Sequence, residues 1–133
     1  MPSGESGEQA LIVGVPVVRA RGEYYLSPHF GRAPFFAFIE VMGDKYRVLE
    51  VLENTHSRHE HGRGRGVVDL MLSRGVKAVV ALGIGYGAFY KLRESGVKVY
   101  YPPASEGPVS LNKAIEMLIS KQLVEAVEPR EIE

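Results

Sequence analysis

Four histidines hold most of the coordination chemistry open to this 133-residue chain, and they fall on two short stretches. His29 stands in Ser27-Pro28-His29-Phe30-Gly31-Arg32-Ala33-Pro34, directly ahead of the apolar run Phe35 to Val41. Proline and glycine fix the backbone on either side of the imidazole, and the run behind it must be buried, so His29 sits on a loop held by a rigid element. Such a histidine can coordinate a metal or an anion. The competing reading makes Phe30 the residue that matters, an anchor plugging the core with His29 solvated beside it. His56, His59 and His61 lie close together between Asn54 and Gly66. Imidazole suits Zn, Cu, Ni or Fe, and three of them could gather round one ion once the loop folds back; a merely solvated polar loop is the plainer alternative.

Two glycine-rich turns add anion chemistry. Gly62-Arg63-Gly64-Arg65-Gly66 leads into a predicted helix, whose free N–H groups and dipole favour negative charge, and Gly64 and Gly66 would let a bulky ligand come close. A solvated hinge explains the same residues. Gly83-Ile84-Gly85-Tyr86-Gly87-Ala88 follows a predicted strand and opens a helix, which matches the loose G-x-G-x-x-A form of a dinucleotide fingerprint. Its context argues against that cofactor, because Tyr100-Tyr101-Pro102-Pro103 stands where the ribose-binding acid belongs and the chain has no room for two mononucleotide halves. What remains is an anion-accepting turn at Gly85, Tyr86 and Gly87, or glycines kept for tight strand-to-helix packing.

Other chemistries are poorly supplied. Cysteine is absent, which excludes disulfides, thiolate nucleophiles and cysteine-ligated zinc or iron–sulfur sites. A Mg²⁺ nuclease wants several carboxylates with one on the first strand, but Leu11 to Val18 has none and the only aspartates are Asp44 and Asp69. Ser27, His29 and Asp69 lack the nucleophile-elbow pattern of a hydrolase triad. Sixteen basic and sixteen acidic residues cancel, against a general nucleic-acid binder. No apolar run is long enough to span a bilayer and the start of the chain is polar and acidic, so a cytoplasmic protein without nucleic-acid or membrane partners is expected. Few Asn and Gln and no Cys fit a thermophilic source.

The elements that must position these residues follow from hydrophobic period and turn residues. Leu11 to Val18 reads as a buried strand closed by Arg19-Ala20-Arg21-Gly22. Phe35–Val41 and Tyr46–Glu53 read as a hairpin turning at Gly43-Asp44. A helix around Val67 to Leu72 stops at Gly75, Lys77 to Leu82 is a strand, Ala88 to Ser95 a helix, Val97 to Tyr101 a strand, and Leu111 to Ile119 an amphipathic helix. Alternating helices and strands demand parallel pairing in the second half. The expected fold is a single three-layer α/β/α domain over residues 9–126 with a mixed five-stranded sheet, Lys77 to Leu82 at its centre, and loosely ordered tails at 1–8 and 127–133. The loop His56 to Gly66 is expected to be mobile until a ligand orders it.

Taken together, Ser27-Pro28-His29-Phe30-Gly31-Arg32-Ala33-Pro34-Phe35-Phe36, Glu53-Asn54, the glycines up to Gly66, Gly75-Val76 to Gly85, and Gly96 to Tyr100 resemble the dinitrogenase iron-molybdenum cofactor biosynthesis family. That family includes NifX-like and NafY-like carriers, the C-terminal domain of NifB-like proteins, and an orange molybdenum-copper protein. The resemblance covers about Leu11 to Val124 and implies a ribonuclease H-like α/β/α fold. It implies a non-enzymatic protein that binds iron-molybdenum cofactor, its precursors or another molybdenum or iron–sulfur cluster, with cofactor-assembly proteins as partners. The histidine of the family's His-Phe-Gly motif is implicated as a ligand, a role that falls on His29. Where many relatives carry a Gly-Pro-Asn-Ala-type turn, this chain has Gly85-Tyr86-Gly87-Ala88.

The leading expectation is therefore a module that holds an anionic metal–sulfur cluster. Its site would comprise Ser27, His29, Phe30, Gly31, Arg32, Gly64, Gly66, Gly85, Tyr86 and Gly87, with His56, His59 and His61 as further metal ligands. The alternative is a regulatory or protein-interaction domain that keeps the fold without a cluster, with Tyr86 filling the site.

Overall fold

The computed structural model describes residues 10–55, 63–103 and 107–130. Among these residues seven strands and three helices follow in the order β1 (Leu11–Ala20), β2 (Glu23–Leu26), β3 (Phe35–Met42), β4 (Lys45–Glu53), α1 (Arg63–Ser73), β5 (Val76–Val80), α2 (Tyr86–Glu94), β6 (Lys98–Tyr101), α3 (Leu111–Ile119) and β7 (Val124–Glu125). The sheet order is β4-β3-β1-β5-β6-β7, with β2 beside β1. Parallel pairing joins β1 to β5 and β5 to β6, and every other pair is antiparallel. The expected hairpin and the parallel second half are both present.

The expectation of five strands is corrected to seven. The two extra strands are short and make little hydrophobic signal. At the first, Arg21 (φ 55°) and Gly22 (φ 80°) both take left-handed backbone, so the chain turns tightly and Glu23–Leu26 pairs back onto β1. At the second, Val124–Glu125 pairs with Tyr100 and Tyr101, and the Ala126 N–H donates to the Val99 carbonyl.

β1 is the spine. Its alternation buries Val13, Val15 and Val17 towards α3, while Gly14 faces α1. A Cβ on Gly14 would stand 2.9 Å from the Met71 sulfur, so this glycine lets α1 lie close on the strand. Pro16 looks misplaced in a central strand, since it cannot donate to a ladder. The register resolves this. On that side of β1 the ladder passes from β5, which pairs with Ile12 to Gly14, to β2, which pairs from Val17 onward, so no acceptor waits for an N–H at residue 16. The Pro16 carbonyl instead accepts the Ser27 N–H at 2.9 Å.

The two faces of the sheet carry separate cores. One gathers Phe30, Phe36, Phe38 and Val79 under Val67, Val68 and Met71 of α1 and Phe89 and Leu92 of α2. The other gathers Val13, Val15, Ile39 and Val80 under Leu111, Ala114 and Ile115 of α3, whose N-cap Ser110 accepts the Lys113 N–H.

A loose tail was expected after residue 126, yet Val127, Glu128 and Arg130 are tied down. Arg93 donates to the Val127 carbonyl, the Tyr101 hydroxyl to the Glu128 carbonyl at 3.1 Å, and the Arg130 N–H to the Ile84 carbonyl at 2.9 Å. The Arg130 guanidinium also lies 4.1 Å over the Tyr101 ring. Burial is the main cause that raises the Tyr101 hydroxyl above its ordinary pKa, against the lowering effect of Arg130. Residues 1–8 lie outside the described residues. Among the described residues, no helix is long and apolar enough to cross a membrane.

Candidate functional site

Strand direction decides where the loops meet. β5 and β6 run parallel to β1, and β4, antiparallel to β3, also runs with β1, so all four carboxyl ends lie at one edge. In an open α/β sheet that edge is where ligands gather. The connection from β4 enters α1 there, and the turn after β5 enters α2 there. β2 brings Ser27 back to Pro16, just past the point where Val79 of β5 pairs with Gly14. The loop 27–34 thus starts on the β5 side of β1 and ends at Phe35 on the β3 side. It must cross β1, and burial of Phe30 among the α1 and α2 side chains shows which face it crosses.

Three devices hold that loop. Ser27 is 2% exposed and its hydroxyl accepts the His29 N–H at 3.1 Å, closing a local turn that fixes the histidine backbone. Phe30, 4% exposed, drives its ring edge-on towards Phe36 at 6.3 Å. Asn54, buried at the end of β4, donates its side-chain amide to the Gly31 carbonyl at 3.0 Å and to the Ala33 carbonyl at 2.7 Å. Its own N–H donates to the Pro34 carbonyl. Between these fixings His29 is half-buried and Arg32 is exposed.

The turn after β5 is held as firmly. Gly83 is buried, Ile84 is 1% exposed and its carbonyl receives Arg130, and Gly85 is the N-cap of α2 with no side-chain cap hydrogen bond. The first N–H closing on this cap is that of Phe89, to the Gly85 carbonyl. The N–H groups of Tyr86, Gly87 and Ala88 precede it in the first turn, where a helix presents donors to an anion.

The sequence-predicted residues sort as follows. Ser27, His29, Gly31 and Arg32 lie on the crossing loop, and Gly85, Tyr86 and Gly87 open α2 at the same edge. Phe30 belongs to the core, as the anchor reading had it. The predicted glycine turns are helical: α1 begins at Arg63, so Gly64 and Gly66 sit inside its first turns, and α2 begins at Tyr86, two residues before the expected start. Helix extends into the glycines because the chain beyond them packs Val67, Val68 and Phe89 tightly, and tertiary burial overrides propensity. Tyr86 does not fill the site; its ring is 70% exposed and rests edgewise on Tyr90 at 5.0 Å. His56, His59 and His61 lie outside the described residues. Asn54 and the Arg130–Ile84 tie were missed as site features. The signal for Asn54 was its rarity, one of two asparagines in the chain, placed where a strand ends.

Gly87 separates packing from function. A Cβ there would meet nothing within 4 Å, so sterics within the fold do not require glycine. Gly87→Ala is expected to raise the stability of the ligand-free protein by about 0.5–1 kcal/mol in urea denaturation, the helix preference of alanine over glycine. A loss of stability would show a backbone constraint at this position.

Among the described residues no three His, Cys, Asp or Glu side chains are grouped to hold a metal ion. The described part of the site offers one imidazole and a set of backbone N–H donors. That set cannot enclose a bare cation, but it suits a cargo that brings its own anionic ligands and needs only a capping bond.

Residues 12–121 match the model of the dinitrogenase iron-molybdenum cofactor family. The uncharacterized protein MJ0580 of Methanocaldococcus jannaschii is 30% identical over 98 residues, 74% of this chain and 80% of that protein. Among solved structures, a putative NifB protein from Thermotoga superposes with a TM-score of 0.67 at 31% identity, covering 86% of this chain and 92% of that one. The apo form of the orange protein from Desulfovibrio gigas superposes with a TM-score of 0.75, covering 90% and 96%; at 21% identity this likeness concerns the fold.

Proposed function

Since the chain belongs to the dinitrogenase iron-molybdenum cofactor family, we propose that it is a carrier that binds an anionic metal–sulfur cluster, iron-molybdenum cofactor or a precursor, and passes it between cofactor-assembly proteins in the cytoplasm. The observation that carries this reading is the half-buried His29, pinned by the Ser27 turn at the edge where α1 and α2 both open. The cluster is cargo and supplies its own sulfides, so a chain without cysteine can hold it. His29 makes the capping bond through a ring nitrogen. The N–H groups at Tyr86 and Gly87, and those at the start of α1 near Gly64 and Gly66, face its negative charge, and exposed Arg32 adds a cation at the rim. His56, His59 and His61 are further ligands in this reading. Nothing in the role calls for a general acid or base, and we assign no catalysis.

The reading is tested by titrating apo protein anaerobically with isolated iron-molybdenum cofactor and measuring bound Mo and Fe with the visible spectrum. His29→Ala is expected to weaken binding at least tenfold, about 1.4 kcal/mol or more, with unchanged circular dichroism. Equal affinity for the variant and the parent would overturn the assignment of His29.

A further inference from the structure

Among the described residues, one edge of the sheet is unpaired along a nine-residue strand. Of the described strands, β4 (Lys45–Glu53) pairs with β3 alone. The ladder fixes which of its backbone groups point outward. Asn54 N–H donates to Pro34, so even-numbered residues of β3 face β4, and their partners Lys45, Arg47, Glu50 and Leu52 point inward. Tyr46, Val48, Val51 and Glu53 therefore present their N–H and C=O groups to the open edge. The bulge between Val48 and Glu50, with Leu49 as its extra residue, is what moves the outward set from even to odd numbers.

That shift makes the edge complementary to itself. When two copies of β4 run antiparallel, the sum of paired residue numbers is constant, and one register sets Tyr46 against Glu53 and Val48 against Val51 of the other copy. All four outward residues then find outward partners. Val48 and Val51 lie on the α3 face, beside Ile39 and Ala37, and Val48 is 44% exposed in the single chain. The same register brings two in-chain ion pairs on the α1 face, Arg47 with Glu40 and Arg74 with Glu50, next to each other across the seam, with Arg47 diagonal to Glu50 of the other copy. No proline interrupts the strand.

We propose that the protein forms a two-fold dimer by antiparallel pairing of β4 with β4 of a second copy, in the register Val48 to Val51. A consequence that rests on the carrier reading is that Lys45 of the second copy stands opposite Asn54, which would give each site a lysine from its partner.

The ligand-free protein suffices for the test. Sedimentation equilibrium should give a dimer for the parent chain and a monomer for Val48→Asp, with unchanged circular dichroism. Because the chain has no cysteine, an oxidised mixture of V48C and V51C should form an intermolecular disulfide, while a mixture of V48C and Y90C should not. A monomeric parent at tens of micromolar, a Val48→Asp dimer, or no V48C–V51C cross-link would each overturn the proposal. None of these outcomes bears on His29, whose role is read by cluster titration.

Discussion

Phe30→Ala is expected to destabilise the fold by about 3–5 kcal/mol, the usual cost of emptying an aromatic site in a packed core. The ring is 4% exposed and packs with Phe36 in the core that α1 and α2 cover. It is also the peg that keeps the crossing loop against β1, so the loss should not stay local. Urea denaturation gives the size, and cluster titration of the fraction that remains folded should show weakened binding as well. His29→Ala, by contrast, should leave the denaturation midpoint almost where it was. Two variants one residue apart that both weaken binding, only one of them at a cost in stability, would separate the anchor from the ligand; a Phe30→Ala cost under 1 kcal/mol would show that the loop is held by something else.

Asn54→Leu should produce the second large effect. The leucine fills similar space but donates nothing, so the carbonyls of Gly31 and Ala33 lose the bonds they accept at 3.0 and 2.7 Å. A buried carbonyl left without its donor costs about 1–3 kcal/mol. The damage should fall on residues 31–34, just behind the histidine. Hydrogen exchange should speed up in that segment ahead of the sheet, and affinity for iron-molybdenum cofactor should drop although Asn54 need not touch the cluster. Unaltered exchange in 31–34 would remove Asn54 from the loop's support.

How much of this was legible in the residues depends on how each element earns its stability. The β3–β4 hairpin and the parallel pair β5–β6 were readable because β3 and β5 are mostly buried apolar runs and glycines mark the turns beside the strands. Glu23–Leu26 was not, since four residues ending in Tyr-Tyr-Leu after Arg-Ala-Arg-Gly look like a loop until β1 proves long enough to receive them. Arg21 in left-handed backbone breaks the usual sequence rule for such a turn, and only Gly22 gave a hint. The site was legible at His29, where proline, glycine and an apolar run announce a fixed loop. The ties made by Asn54 and Arg130 were not legible, because their partners are backbone carbonyls far away in sequence, which no spacing encodes.

The tie between Arg130 and Ile84 bears on biogenesis. The ribosome makes the histidine loop well before the residue that fastens the Gly83–Gly85 turn. Domains complete their packing only as their last elements emerge. A nascent chain that already displays His29 would therefore still lack a fixed α2 entrance, and, on the carrier reading, premature capture of a cluster would be disfavoured until synthesis has passed Arg130.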